Sequence, residues 1–425
     1  MASFKLYGDG IHDDTDAIQE MLDSGAKLVA LPMPEKNYLI SRTLQIHSCQ
    51  ELRLDRWAEI KLAPKSNCPM LTNSDTENGN SRIAIRGGIW DFNNLEQAPN
   101  PQMLTPNADA FRRMPMPEDY PVDPATGKQE FLSRMFPFHP KRYWGDGFFF
   151  HRIDQFELSD VVLKNPVSYA VKMAKISNFT ISHVTFDFNE GNPSPNNMDG
   201  LHFDGFCRNG RITDLKGNCY DDLLAFNAED GIQDSPGFGP IENIEVDGVW
   251  SDRCHSCVRM LSCGSLIRNI TIRNVYGSFY RYAIGFTHFF PERPPRGRFD
   301  NIVLENLFIS KALPLDSDWN RCPDWGLIWG EGRGTIGSLT INNFHRVETT
   351  TPTPAIELES DFEIDNLNIN DCSMENQMKE DIVFLSNAGK IRNLSYGVCR
   401  CTSAEGAGQS IRMKNTGAVD NIVER

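Results

Sequence analysis

Nine short segments with one pattern limit what this chain can fold into. They begin at Gln155, Asn178, Asn209, Asn243, Asn269, Asn301, Ser338, Asn366 and Asn393, as in NFTISHVTF, NITIRNVYG and NIVLENLFI. Their successive spacings run from 23 to 37 residues. Within each, apolar and polar residues alternate over four to six positions with many β-branched side chains, the period of a strand and not of a helix. Strand-bearing repeats of this length indicate a solenoid, and the units are too short for four-stranded propeller blades. The expected fold is all-β: a single right-handed parallel β-helix of about nine or more coils, with loops of varying length at the corners. The recurring asparagine is expected to stack as an internal ladder or to turn a corner in the left-handed conformation.

The remaining segments fit around that solenoid. GDGIHDDTDAIQEMLDSG (Gly8 to Gly25) reads as a turn and then a helix, capped by Asp14 or Thr15, with Ala17, Ile18 and Met21 on its apolar face. LPMPEKNYLISRTLQI (Leu31 to Ile46) reads as two strands around a turn. Together residues 1–50 are expected to cap the open end of the core, which a solenoid needs. Residues 98–147 and 288–334 interrupt the repeat with proline-rich and aromatic stretches, and are expected as inserted loops walling a cleft within the one domain 1–425. Asp9, Asp13 and Asp14 are expected to close the first turn and cap the helix, not to bind calcium.

Charge and cysteine usage exclude several classes. The net charge of −15 argues against a nucleic-acid partner, which needs a basic surface. It leaves room for an anionic sugar in a locally basic cleft. No apolar run approaches 18 residues, so no helical membrane span is expected. The 11 cysteines are scattered and odd in number, which fits reduced thiols. The expected compartment is the cytoplasm, or outside the cell with a signal removed. Cys254 and Cys257 form a C-x-x-C pair without the further close ligands that zinc wants, so no metal and no cofactor are expected.

The acidic residues carry the chemistry. Asp199 lies in NMDG, Asp221 and Asp222 in YDDLLAFNA, and His255 in CHSC. Asp199 and Asp221 are 22 residues apart, close to one coil, so the two segments can stack. Three carboxylates and a histidine on one face of a solenoid suit general acid–base work on an oligosaccharide or polysaccharide. A solvated polar corner is the plain alternative for the Asp pair. His255 is read either as a partner of the acid or as a satisfied corner histidine. His202 and Asp204, in LHFDG, share one strand face, so one of them can point to the cleft. Trp319, Trp325 and Trp329 can stack on sugar faces or pack inside, with Glu331 nearby.

GDGIHDDTDAIQ followed by LPMPEKNYLI resembles the opening of polygalacturonases and the wider pectate-lyase-like β-helix superfamily. NMDG, YDD and the histidine of CHSC resemble, in order, three of the four signature blocks of glycoside hydrolase family 28: NTDG, GDD and GHG. The fourth, RIK, is absent, and RYAIGFTH (Arg281 to His288) stands in its place. Met198 and Tyr220 replace a threonine and a glycine, and Cys254 and Ser256 flank His255. The resemblance implies that Asp221 is the acid, that Asp199 and Asp222 activate water, and that inversion results. Without RIK it does not carry uronate specificity with it; Arg281 and His288 are candidate substitutes, with His202 and Trp325 as further substrate contacts. The long insertions imply a blocked cleft and exo action on imported oligosaccharides. A β-helix lyase or glycan transferase, and a non-enzymatic carbohydrate-binding or tailspike-like module, are the competing readings.

Overall fold

The structure is a computed structural model that describes residues 5–98, 145–191, 195, 197–229, 237–288, 295–314 and 325–424. Its 27 strands among these residues form one sheet system, and every pairing between named strands is parallel. Each strand bonds to the strand one coil before it and the strand one coil after it. One continuous ladder runs through Gln45, Thr72, Phe149, Lys172, His202, Ala225, Arg259, Gly285, Trp329, Glu357, Ser386 and Lys414, one residue per coil over twelve coils.

The nine repeat segments all lie in strands, for example within Val171–Asp187, Ile241–Ser262, Leu266–Thr287 and Gly297–Lys311. Their alternation sends one apolar stack inward. Ile181, Ile212, Val246, Ile272, Leu304 and Ile341 occupy successive coils at one depth and are fully buried. Each such side chain stabilises the fold by roughly 1.5–3 kcal/mol relative to exposure. No disulfide joins the described cysteines, which are free thiols; Cys254 and Cys257 are core residues.

The asparagine ladder exists, but on the outside. Asn178, Asn209, Asn243, Asn269 and Asn301 all have φ between 50° and 59°. Each amide donates to the carbonyl oxygen of the asparagine one coil before, at 2.7 to 3.3 Å from Asn209 to Asn301. All five are exposed. The left-handed turn aims their own side chains at solvent and delivers the next apolar residue inward, so ladder and corner are one device. A shorter ladder, Asn274, Asn306 and Asn343, repeats it with 2.9 and 2.7 Å bonds.

At the N-terminus the helix is Thr15–Asp23, and its buried face is Thr15, Ile18 and Leu22. Ala17 and Met21 are only half-buried. Asp14 is the N-cap residue, as expected, but its side chain makes no capping bond. Asp13 accepts the Thr15 N–H at 2.8 Å, whereas the Asp14 carboxylate turns back to the N–H groups of Tyr7 and Gly8. The strands Leu28–Leu31, Tyr38–Ile40 and Leu44–Ile46 do not fold on each other around a turn. Each pairs with the following coil, so they are the first coil itself, with the helix laid over it. Most of the insertion at 98–147, and part of that at 288–334, lies outside the described residues.

Candidate active site

Register brings the acidic residues together. Leu201 pairs with Leu224 and Asp222 with Ser256, so Asp199 stands level with Asp222 one coil on, and Asp221 stands level with His255. Ser256 in turn pairs with Tyr282 and Cys254 with Phe279, so a β-bulge sets both Tyr280 and Arg281 against His255. The Gly200 N–H donates to the Asp222 carbonyl at 3.0 Å and fixes the two coils. Four consecutive coils thus present Asp199, then Asp221 with Asp222, then His255, then Arg281.

The two adjacent aspartates have unlike surroundings. Asp221 has its carboxyl pushed well above the ordinary range, first by burial and then by the charges of Asp222 and Asp199. Asp222 is also raised by burial, but Arg259 works against the shift more strongly than any other charge. Arg259 Nε lies 2.8 Å from Asp222 Oδ2, an ion pair without a well-aligned hydrogen bond. The Tyr282 hydroxyl donates to the other oxygen, Asp222 Oδ1, at 3.2 Å. Like charges this close do not both ionise cheaply, and the partnered one keeps the charge. Arg259 opposes the upward shift more strongly at Asp222 than at Asp221, so of the two it is Asp221 that is pushed further up.

His255 reinforces that assignment. It is fully buried, and its pKa falls well below the ordinary value through burial and then the nearby Arg281 and Arg259 cations. A neutral ring therefore faces Asp221, with Nδ1 at 3.6 Å from Asp221 Oδ1 and 2.8 Å from the Ser256 hydroxyl. Tyr280 packs edge-on against it at 4.9 Å.

Asp199 faces a second buried network. His202 Nδ1 is 2.7 Å from Asp199 Oδ2, and its Nε2 is 3.6 Å from Asp204 Oδ1. Burial alone would push the imidazole down, but hydrogen bonds and charge from Asp199 and Asp204 outweigh it and raise it to about 9. His202 is thus favoured in its charged form, in hydrogen-bond contact with Asp199. Both His202 and Asp204 face this one cluster. The Asn227 amide donates to Asp204 at 3.1 Å, and Lys172 Nζ is 3.9 Å away. Asp146, next to this cluster, is raised to about 6 by burial, with Lys172 and His202 opposing.

On the other flank lies an aromatic and cationic wall. The Arg281 guanidinium sits 4.5 Å over the Trp325 ring and 5.6 Å over Tyr282. Trp325 and Trp329 are 4.8 Å apart, and Trp329 stacks on Tyr282 at 5.6 Å. Gly285 is required here: a Cβ would come within 2.6 Å of the Tyr282 ring and push the hydroxyl off Asp222. Glu331 is raised to about 7, chiefly by burial. His288 does not join the carboxylate group: its N–H donates to Glu331 at 3.0 Å and its ring Nε2 lies 3.0 Å from the Pro295 carbonyl. Trp319 lies outside the described residues.

Sequence reasoning missed Arg259, Lys172, Tyr282 and Asp146. Two carried a signal, since Arg259 in CVRML and Lys172 in YAVKMA are lone cations inside apolar runs, where a charge needs a partner. The ligating atoms of Asp221, Asp222 and His255 lie within 4.8 Å of one another, so these three could hold a divalent cation. Arg259 already supplies a positive charge at that point.

Comparison with solved structures agrees with this architecture. The fold is that of right-handed parallel β-helix proteins. A family 28 exopolygalacturonase from Yersinia enterocolitica is 14% identical over 99% of this chain and 76% of its own, with a TM-score of 0.60. An endo-xylogalacturonan hydrolase from Aspergillus tubingensis is 13% identical over 97% and 98% of the two chains, at 0.57. PfbA, a surface adhesin of Streptococcus pneumoniae, is 12% identical over 99% and 90%, at 0.51. No protein-family model matches the chain, and no curated protein matches it in sequence. The likeness establishes fold and not chemistry, since one architecture here serves two hydrolases and an adhesin.

Proposed function

We propose that the chain is a glycoside hydrolase that releases terminal residues from an acidic oligosaccharide with inversion. The observation that carries this reading is the unequal surroundings of two neighbouring carboxyls: Asp221 is pushed further up, while Asp222 sits beside Arg259 and the Tyr282 hydroxyl. Glycosidic cleavage needs such a pair: an acid at the leaving oxygen and a carboxylate on the water side. Asp221 donates its proton to the glycosidic oxygen as the bond breaks. Asp199, hydrogen-bonded to His202, and Asp222 orient a water and accept its proton as it attacks the anomeric carbon. Asp222 is clamped by Arg259 and the Tyr282 hydroxyl, which suits a base and hinders direct nucleophilic attack. A pure binding module has no use for a buried protonated acid, which lowers stability at neutral pH.

Arg281 and Arg259 favour a carboxylate-bearing sugar, with Arg281 replacing the missing block. The burial of Asp199, Asp221 and Asp222 favours a closed pocket over an open groove, hence action at chain ends. The test is a reducing-end assay on acidic and neutral glycans, with proton NMR of the first anomer. Terminal release of an inverted acidic sugar supports the reading; a retained anomer makes Asp222 a nucleophile and refutes the water mechanism. The Asp221, Asp222 and His255 donor set beside two arginines gives a lyase some support. An unsaturated, ultraviolet-absorbing product would select that alternative.

A further inference from the structure

The last residue of the strand Gly297–Lys311 stands behind the aromatic and cationic wall. Lys311 is 2% exposed, and a buried ammonium is costly unless hydrogen bonds meet it. Its Nζ donates to the Arg281 carbonyl at 2.5 Å and to the Trp325 carbonyl at 2.9 Å. These are the two residues whose side chains meet in the wall, guanidinium over indole at 4.5 Å.

Topology explains why a side chain is used here. The strand Leu266–Thr287 pairs with Gly297–Lys311 as far as Phe279 opposite Lys311, and with Ile328–Gly330 from Ile284 onward. Arg281 falls between these two ladders, which residues 312–327 join. A carbonyl in such a gap needs a donor from outside the ladder. An ammonium has three N–H groups and can meet two chain segments at once.

The backbone of Lys311 is itself anchored. Glu348 Oε2 accepts the Lys311 N–H at 3.2 Å, and the Thr350 hydroxyl donates to the Lys311 carbonyl at 3.0 Å. Glu348 pairs in turn with Arg346, whose Nε donates to Oε2 at 2.8 Å. Its Oε1 accepts the N–H groups of Thr349, Thr350 and Thr351 at 2.8 to 3.1 Å. Arg346 and Glu348 are at most 1% exposed. A fully buried ion pair adds little net stability, so its use here is geometric: it fixes where the Lys311 side chain starts.

We propose that Lys311 is a positioning residue for selection of the acidic sugar. It ties the Arg281 and Trp325 backbones together, so that guanidinium and indole meet the sugar as one preformed surface. It acts through those two residues and needs no contact with the ligand. The inference rests on the saccharide reading above, but the tie is a property of the free protein and has its own readout.

Two measurements on the full chain test it. With isotope-labelled tryptophan each indole N–H gives one NMR signal, and Trp325→Phe identifies that of Trp325. Lys311→Met keeps most of the side chain's length and removes its donors. It is expected to shift or broaden the Trp325 signal while those of Trp57 and Trp90, on the N-terminal coils, stay in place. Binding of a galacturonate dimer and of cellobiose is read by calorimetry with Asp221→Asn present throughout, so that no turnover intervenes. Lys311→Met should weaken the dimer about fivefold or more. Added to Arg281→Ala, it should cost no more than about twofold further, because the group it positions is gone. Lys311→Arg, which keeps charge and donors, should recover most of the affinity. Should Lys311→Met fail to fold, Lys311→Gln, too short to reach both carbonyls, is read the same way.

An unmoved Trp325 signal overturns the proposal, as does dimer affinity within about twofold of the parent. So does a loss that multiplies in full with that of Arg281→Ala, or an equal loss for cellobiose, since either makes Lys311 a general support of the fold. A moved Trp325 signal with no binding of either sugar keeps the tie and removes the saccharide reading; dimer binding with an unmoved signal does the reverse.

Discussion

Replacing Asp221 with asparagine should abolish activity and at the same time make the protein more stable as pH rises. Its carboxyl is held well above the usual range by burial and by Asp222 and Asp199. The sign follows from linkage. A folded-state pKa raised above the unfolded value means the folded chain binds the proton more tightly, so stability falls as pH rises from the unfolded value of 3.8 towards the folded one. Across that window each pH unit costs up to about 1.4 kcal/mol. Asparagine carries no titrating proton and escapes the cost, while matching the neutral acid in shape. With 425 residues and about 2.1 cal/mol/K of unfolding entropy each, the entropy is about 0.9 kcal/mol/K. The difference in Tm between variant and parent should therefore grow with pH by up to about 1.5 °C per unit across that window. Thermal scans at one scan rate, at several pH values, read it directly. A Tm difference that stays flat with pH would mean that Asp221 titrates as in the unfolded chain, and the acid assignment would lose its basis.

Further outcomes follow from the same geometry. Asp199→Asn and Asp222→Asn should each lower kcat by about 10²–10⁴ with circular dichroism unchanged, and a near-native rate in either variant removes that residue from the water-activating pair. Arg259→Met removes the cation that lowers the Asp222 pKa, so the acid limb of the kcat/KM profile should move to higher pH; an unmoved limb would mean Asp222 is not the titrating base. Arg281→Ala should weaken binding of an acidic substrate by about 2 kcal/mol and leave a neutral one alone, and equal effects on both would show that Arg281 only packs on Trp325. Dialysis against a chelator should leave activity intact; loss that a divalent cation restores would hand the Asp221, Asp222 and His255 group to a metal.

What the sequence made legible was whatever depends on period. Alternation in segments such as NITIRNVYG placed the inward stack, and repeat length placed one coil per segment. Whatever depends on register between coils was not legible. The 22-residue spacing sets Asp199 near the Asp pair, but not opposite either member. The structure aligns Asp199 with Asp222 and leaves Asp221 level with His255, with Tyr280 and Arg281 beyond it across a bulge. That one-residue difference decides the chemistry, because only Asp222 then meets the Arg259 side chain and the Tyr282 hydroxyl. Arg259 arrives there through the length of the loop between coils, which no local pattern encodes. The asparagines show the same division. Their recurrence announced a ladder, but only the left-handed φ of Asn243 or Asn269 turns it outward. A solenoid's sequence thus reports which residues share a face, while the loop lengths between coils decide which of them touch, and general acid chemistry is settled by touch.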